Sequence, residues 1–97
     1  MKMVYRTAII QRGEIQWMNY TFFSTKESAK KDIEKRVNDA ISHCDNLVVK
    51  AVACRWDSYR VNECGSSSFL SVEGIVKLVN ETTHTSTIFG ILEYPLD

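Results

Sequence analysis

Proline, cysteine and net charge are all scarce in this chain, and each shortage removes a class of protein. The only proline is Pro95, so no proline-rich segment marks an interdomain linker. Cysteine occurs three times, at Cys44, Cys54 and Cys64. An odd count at wide, even spacing does not read as a disulfide framework, and the expected setting is reducing and cytoplasmic. The same spacing argues against zinc. Cys44, Cys54, Cys64, His43 and His84 are enough soft ligands, but structural sites draw theirs in close pairs. Twelve Lys/Arg against twelve Asp/Glu leave no net charge, whereas a general nucleic-acid binder carries a basic excess to neutralise phosphates. No apolar run approaches the length of a membrane span, and the first ten residues lack the pattern of a secretory leader. No phosphate loop or catalytic signature occurs, so neither an enzyme nor a cofactor is expected.

What is present describes an ordinary globular domain. The 97 residues are 44% hydrophobic and 25% charged, and a single domain over residues 1–97 is expected. A chain of this length buries roughly two thirds of its unfolded surface, enough for a core without staples. Charge is unevenly placed. Residues 1–50 hold nine Lys/Arg and six Asp/Glu, and residues 51–97 hold three and six.

Met3 to Ile10 is rich in β-branched and aromatic residues and reads as a strand, interrupted by the single charge of Arg6. Gly13 supplies a turn, and Ile15 to Phe23 reads as the returning strand. Ser24-Thr25-Lys26-Glu27 has the form of a capping box with Ser24 as the cap. Ala29, Ile33, Val37, Ala40, Ile41 and Cys44 then recur at spacings of three and four, which predicts one apolar helical stripe. Glu27–Lys31 and Asp32–Arg36 stand at the favourable i,i+4 spacing, and Asp45-Asn46 is a plausible stop.

Leu47 to Trp56 begins almost wholly apolar and reads as a central strand. Asp57 to Ser68 is polar and reads as a loop. Phe69 to Val79 and Thr85 to Tyr94 form a second hairpin, closed by residues 80–84. The expected fold is α+β, in two layers: about five mostly antiparallel strands with one helix on one face, in the order ββαβββ.

The candidate functional residues are large and aromatic. Arg55-Trp56-Asp57-Ser58-Tyr59-Arg60 puts two arginines, a tryptophan and a tyrosine within six residues. These types dominate binding hot spots because they bury a large area and keep a polar handle. Arg55, Trp56, Tyr59 and Arg60 are therefore the expected anchors for a protein partner. Trp17 and Tyr20 form a second candidate patch, because the first hairpin carries more aromatic area (Tyr5, Trp17, Tyr20, Phe22, Phe23) than one helix and one sheet face can bury. The plain alternative is that Trp56 closes the core while Arg55 and Arg60 pair with Glu63 or Glu73.

Other constellations carry less. Thiol chemistry would use Cys64 or Cys54 with His84 as base. Glu63, Glu73 and Glu93 read as solvated strand faces. A compact neutral α+β domain of this kind resembles the small antagonists and adaptors of bacteriophages and mobile elements, which act by binding a host protein. That resemblance implies an inhibitor or adaptor with a larger protein partner. A homodimer is a further expectation. A nucleic-acid-binding homodimer using Lys30, Lys31, Lys35 and Arg36 is the first alternative, and a thiol enzyme the second.

Overall fold

The computed structural model describes the backbone of residues 2–12, 14–63 and 66–96, and within them the side chains other than those of residues 14, 53, 54, 56–71, 95 and 96. The chain is α+β. Five strands form one antiparallel sheet: β1 (Lys2–Gln11), β2 (Glu14–Met18), β3 (Leu47–Glu63), β4 (Ser66–Asn80) and β5 (Thr85–Leu96). The single helix, α1 (Lys26–His43), stands between β2 and β3 in the order ββαβββ.

The spatial order is β2-β1-β5-β4-β3. The chain starts in the sheet interior and turns back to form one edge as β2. It then crosses a face of the sheet as α1 to reach the opposite edge at β3. From there it returns by two hairpins to lay β5 beside β1. β1 is thus paired on both sides, and its sequence fits that place. Tyr5, Thr7 and Ile9 point towards α1, while Arg6, Ala8 and Ile10 point to the other face, as alternation along a strand requires.

Each face has its own core. Under α1, Ala29, Ile33 and Val37 meet Leu78, Phe89 and Ile91, with Tyr5, Ile9, Phe23 and Leu47 around them. These helix residues are the sequence stripe, and each large side chain fully buried here contributes about 1.5–3 kcal/mol. On the far face, Ala8, Ile10, Val72 and Leu92 are fully buried with Ile15, Met18, Ile88 and Tyr94 packed against them. No helix covers this side among the described residues. Curvature of the sheet encloses it instead, and the edge strands β2 and β3 come within 8 Å of each other between Cα atoms. Gly90 permits the bend. A Cβ there would lie 2.9 Å from the Glu73 carbonyl oxygen and 3.1 Å from Ile10 Cδ1. Its partner across the ladder is Gly74, and the register shifts immediately beyond, between Gly74 and Val76.

Several local expectations need correction. The returning strand ends at Met18 rather than Phe23. The helix cap is Thr25, not Ser24. Thr25 has extended dihedrals and its hydroxyl accepts from the Ser28 N–H at 3.2 Å. Phe23 is still bonded to Tyr5 through both its N–H and its carbonyl, so the helix can begin only after Ser24. The helix stops at His43 with Cys44 extended (φ −147°), so Asn46 is not a left-handed cap. Positive φ among described non-glycine residues occurs at Arg12 and His84, one in each of two hairpin turns; Gly13 lies outside the described residues. In the second of these turns the Asn80 side chain accepts from the Thr82 and Thr83 N–H groups.

β3 is an edge strand, not a central one. Its apolar start suggested burial on both faces, yet Val49 is 47% exposed because α1 packs over β1 and β5. Residues 57–63 and 66–68 are strand rather than loop. They pair with each other across a long ribbon, Glu63 opposite Ser66 and Val61 opposite Ser68, so cross-strand partnership outweighs their polar composition.

Candidate interaction surface on the first hairpin

The β2 edge carries the most distinctive arrangement of side chains. After Met18 the chain continues along β1, with the Asn19 N–H donating to the Thr7 carbonyl at 2.9 Å. It rejoins β1 where Tyr5 and Phe23 exchange two bonds of 2.8 Å. Between these points β1 advances two residues and the returning chain advances four. The surplus is looped outward, and it displays Tyr20 at 87% exposure and Phe22 at 56%.

Asn19 shapes this loop. Its side-chain oxygen accepts from the Thr21 N–H at 3.0 Å, closing an Asx turn. Its side-chain nitrogen donates to Asp32 Oδ2 on α1 at 3.2 Å. The same carboxylate oxygen accepts from the buried Thr7 hydroxyl at 2.8 Å and from Arg36 Nε at 3.0 Å. Burial alone would raise the Asp32 pKa. Hydrogen bonds from Arg36, Thr7 and Asn19, with the Arg36 charge, outweigh it and hold the carboxyl below its ordinary value.

Two arginines brace the aromatic rings. The Arg36 guanidinium lies 4.3 Å from the centroid of Trp17, on the helix side of β2. Arg6 is on the far side and only 3% exposed. Its Nε donates to the Asn19 carbonyl at 2.8 Å and its Nη1 to the Tyr94 hydroxyl at 3.4 Å. The same guanidinium lies 5.1 Å from the ring centre of Phe22, 5.7 Å from that of Tyr94 and 6.0 Å from that of Tyr20. Phe22 and Tyr94 meet edge to face at 5.8 Å. The result is an aromatic surface that wraps around the β2 edge, with Trp17 on one side and Tyr20 and Phe22 on the other.

Of the expected anchors, Trp17 (37% exposed) and Tyr20 belong to this surface and are linked through Asn19 and Asp32. Arg55 belongs elsewhere. It lies on β3, binds Glu93 through both terminal nitrogens at 3.4 and 3.2 Å, and stands opposite Glu73 in the β3–β4 ladder; the side chain of Glu63 lies outside the described residues. Trp56, Tyr59 and Arg60 fall on β3, but their side chains lie outside the described residues. Arg6, Asp32, Arg36 and Phe22 were not among the expected anchors. Arg6 had a visible signal, as the single charge within the apolar run Met3 to Ile10.

A second charged cluster joins the start of α1 to the sheet. Lys26 Nζ bridges Glu73 at 2.8 Å and Glu93 at 3.4 Å. These two acids are therefore partners of one lysine rather than independent solvated groups. The hydrogen bond from Lys26 holds Glu73 below its ordinary value, and Lys26 is raised in return. The remaining sequence candidates are dispersed. Cys44 is partly buried at the end of α1, and a His43 ring nitrogen lies 2.8 Å from the Asp39 carbonyl oxygen. His84 is exposed in the β4–β5 turn, and the side chains of Cys54 and Cys64 lie outside the described residues. No group of three metal-ligating side chains forms among the described residues, nor is any helix there long and apolar enough to cross a membrane. No family model, curated protein or solved structure matches the chain.

Proposed function

We propose that the chain is a non-enzymatic protein-binding module, an inhibitor or adaptor that docks on a larger protein through the aromatic surface of its β2 edge. The observation that carries this reading is the outward loop between Asn19 and Phe23, which holds Tyr20 and Phe22 in solvent beside Trp17. Exposing large aromatic groups forfeits their burial energy in the free chain, so a surface that fixes them in place is of use only when something covers it. Tyr20, Phe22 and Trp17 supply apolar area, and the partly exposed Arg36 supplies directional donors at the rim. The absence of disulfide spacing fits a cytoplasmic role, and the small neutral domain fits the binding proteins that phages and mobile elements encode.

The test is purification of the tagged chain from its own cellular background, beside a Tyr20→Ala/Phe22→Ala variant. A stoichiometric protein should accompany the parent chain. Its affinity for the variant should fall by about 30-fold or more, as loss of hot-spot side chains implies. Equal retention by parent and variant would overturn the assignment of the site. Failure of any protein to co-purify would overturn the binding role.

A further inference from the structure

The face of the sheet away from α1 carries a charge arrangement that the aromatic surface does not use. One row of directly opposed residues crosses all five strands on that face: Ile15, Ile10, Ile88, Lys77 and Lys50. The isoleucines belong to the apolar core there, and the last two positions are both lysine. The Lys50 and Lys77 Cβ atoms stand about 5 Å apart, as in any directly opposed antiparallel pair, and like charges so placed destabilise a sheet. Lys77 is partly buried and Lys50 exposed. Lys26, Asp32, Arg36, Glu73 and Glu93 are each answered by an opposite charge. Among the described residues no ion pair reaches Lys50 or Lys77. The adjoining rows of the same face hold no acid either: Cys54, Gly74, Gly90, Ala8 and Met18 on one side, Val48, Val79 and Ser86 on the other. The one acid of β2, Glu14, stands opposite Gln11, at a register position of the helix face.

We infer that Lys50 and Lys77 together bind a phosphate dianion, as the free ion or at the end of a monoester. The fold sets two ammonium groups side by side and supplies no counter-charge, so an anion held between them relieves the repulsion that the register imposes. A dianion matches the charge of the pair, whereas a carboxylate or a phosphodiester carries half of it. Lysine binds phosphate as a compact point charge. A phosphate group offers three acceptor oxygens, enough for one bond from each ammonium with the third left to water. The site lies on β3 and β4, so it stands or falls apart from the aromatic surface at the β2 edge.

Titration of the isotope-labelled full chain with inorganic phosphate, followed by amide NMR at constant ionic strength and about pH 8, above the second phosphate pKa, tests the proposal. Amide shifts should saturate and should centre on residues 48–50 and 77–79. Lys50→Met and Lys77→Met should each weaken binding about tenfold, the loss of one hydrogen bond to a charged group. Lys35→Met, at an exposed position of α1, and Tyr20→Ala should leave it unchanged. Phosphoserine in place of phosphate distinguishes a monoester from the free ion, and dimethyl phosphate, with a single charge, should bind more weakly than either. Lys50→Glu sets opposite charges across the ladder, so it should raise the urea midpoint in phosphate-free buffer and abolish phosphate binding. Shifts that never saturate, or that persist undiminished in both methionine variants, overturn the site. Equal binding of dimethyl phosphate overturns the dianion, and a lowered midpoint for Lys50→Glu overturns the repulsion on which the inference rests.

Discussion

Replacing Asp32 with alanine should be the most damaging single change outside the apolar cores. One carboxylate oxygen serves three donors: the Thr7 hydroxyl, the Asn19 amide and Arg36 Nε. Thr7 is 1% exposed, so its hydroxyl would be left buried without an acceptor, at a cost of about 1–3 kcal/mol. The Asn19 bond adds about 1 kcal/mol. The Arg36 pair is partly solvated and adds no more than about 0.5 kcal/mol. Together Asp32→Ala should cost about 3 kcal/mol, or about 15 °C in Tm for a domain of this size. Urea unfolding gives the number, and a double-mutant cycle gives the cause. In a Thr7→Val background no hydroxyl is left to strand, so Asp32→Ala should then cost about half as much. If the two changes simply add, the bond from Thr7 to Asp32 does not carry the stability assigned to it.

The same carboxylate fixes an acid limb. Its folded pKa lies below the ordinary 3.8, so its contribution is complete above that value and is lost as pH falls through the folded value. Glu73 is also depressed, through the hydrogen bond from Lys26, and titrates in the same sense. The share due to Asp32 is therefore the difference between parent and Asp32→Asn below about pH 4, not the whole slope. Identical slopes for the two proteins would remove Asp32 from the account.

Two further changes test the fold around the site. Gly90→Ala should destabilise by about 2 kcal/mol, because the added methyl would lie 2.9 Å from the Glu73 carbonyl oxygen, a backbone atom held in the β4–β5 ladder, and 3.1 Å from Ile10 Cδ1; a variant as stable in urea as the parent would show that the sheet does not need glycine there. Thr25→Ala should cost about 1 kcal/mol by removing the acceptor for the Ser28 N–H, while Ser24→Ala should change the unfolding midpoint little, which separates the observed cap from the one the capping-box pattern suggests.

Periodicity made the helix legible. Ala29, Ile33 and Val37 are the buried positions, and Asp32–Arg36 pairs at 3.0 Å as the spacing implied. The helix boundaries were less legible, since a hydroxyl at 24 and another at 25 look alike until the Tyr5–Phe23 bridge decides between them. The place of β3 in the sheet was hidden for a similar reason. An apolar run of Leu47, Val48 and Val49 is the same string at an edge or in a centre, and only the path of α1 settles which face is covered. The site was half visible. Trp17 and Tyr20 stood out as surplus aromatics. The two extra residues that push Tyr20 and Phe22 outward could not be seen, because they exist only relative to the count along β1.

Arg6 ties these observations together. A guanidinium 3% exposed on the far face of a central strand is expensive to desolvate. What the charge adds is direction. Its Nε fixes the Asn19 carbonyl, its Nη1 reaches the Tyr94 hydroxyl, and its plane lies among three rings, so the loop has one favoured orientation rather than several. Asn19 is held from the other side by Asp32, so the two charged residues grip the same asparagine through its backbone and its side chain. A loop anchored in this way loses little conformational entropy when a partner covers it, and preorganisation of that kind raises affinity without any additional contact. The buried charge and the exposed rings are therefore two parts of one arrangement, in which Arg6 and Asp32 hold the loop that carries the aromatic groups.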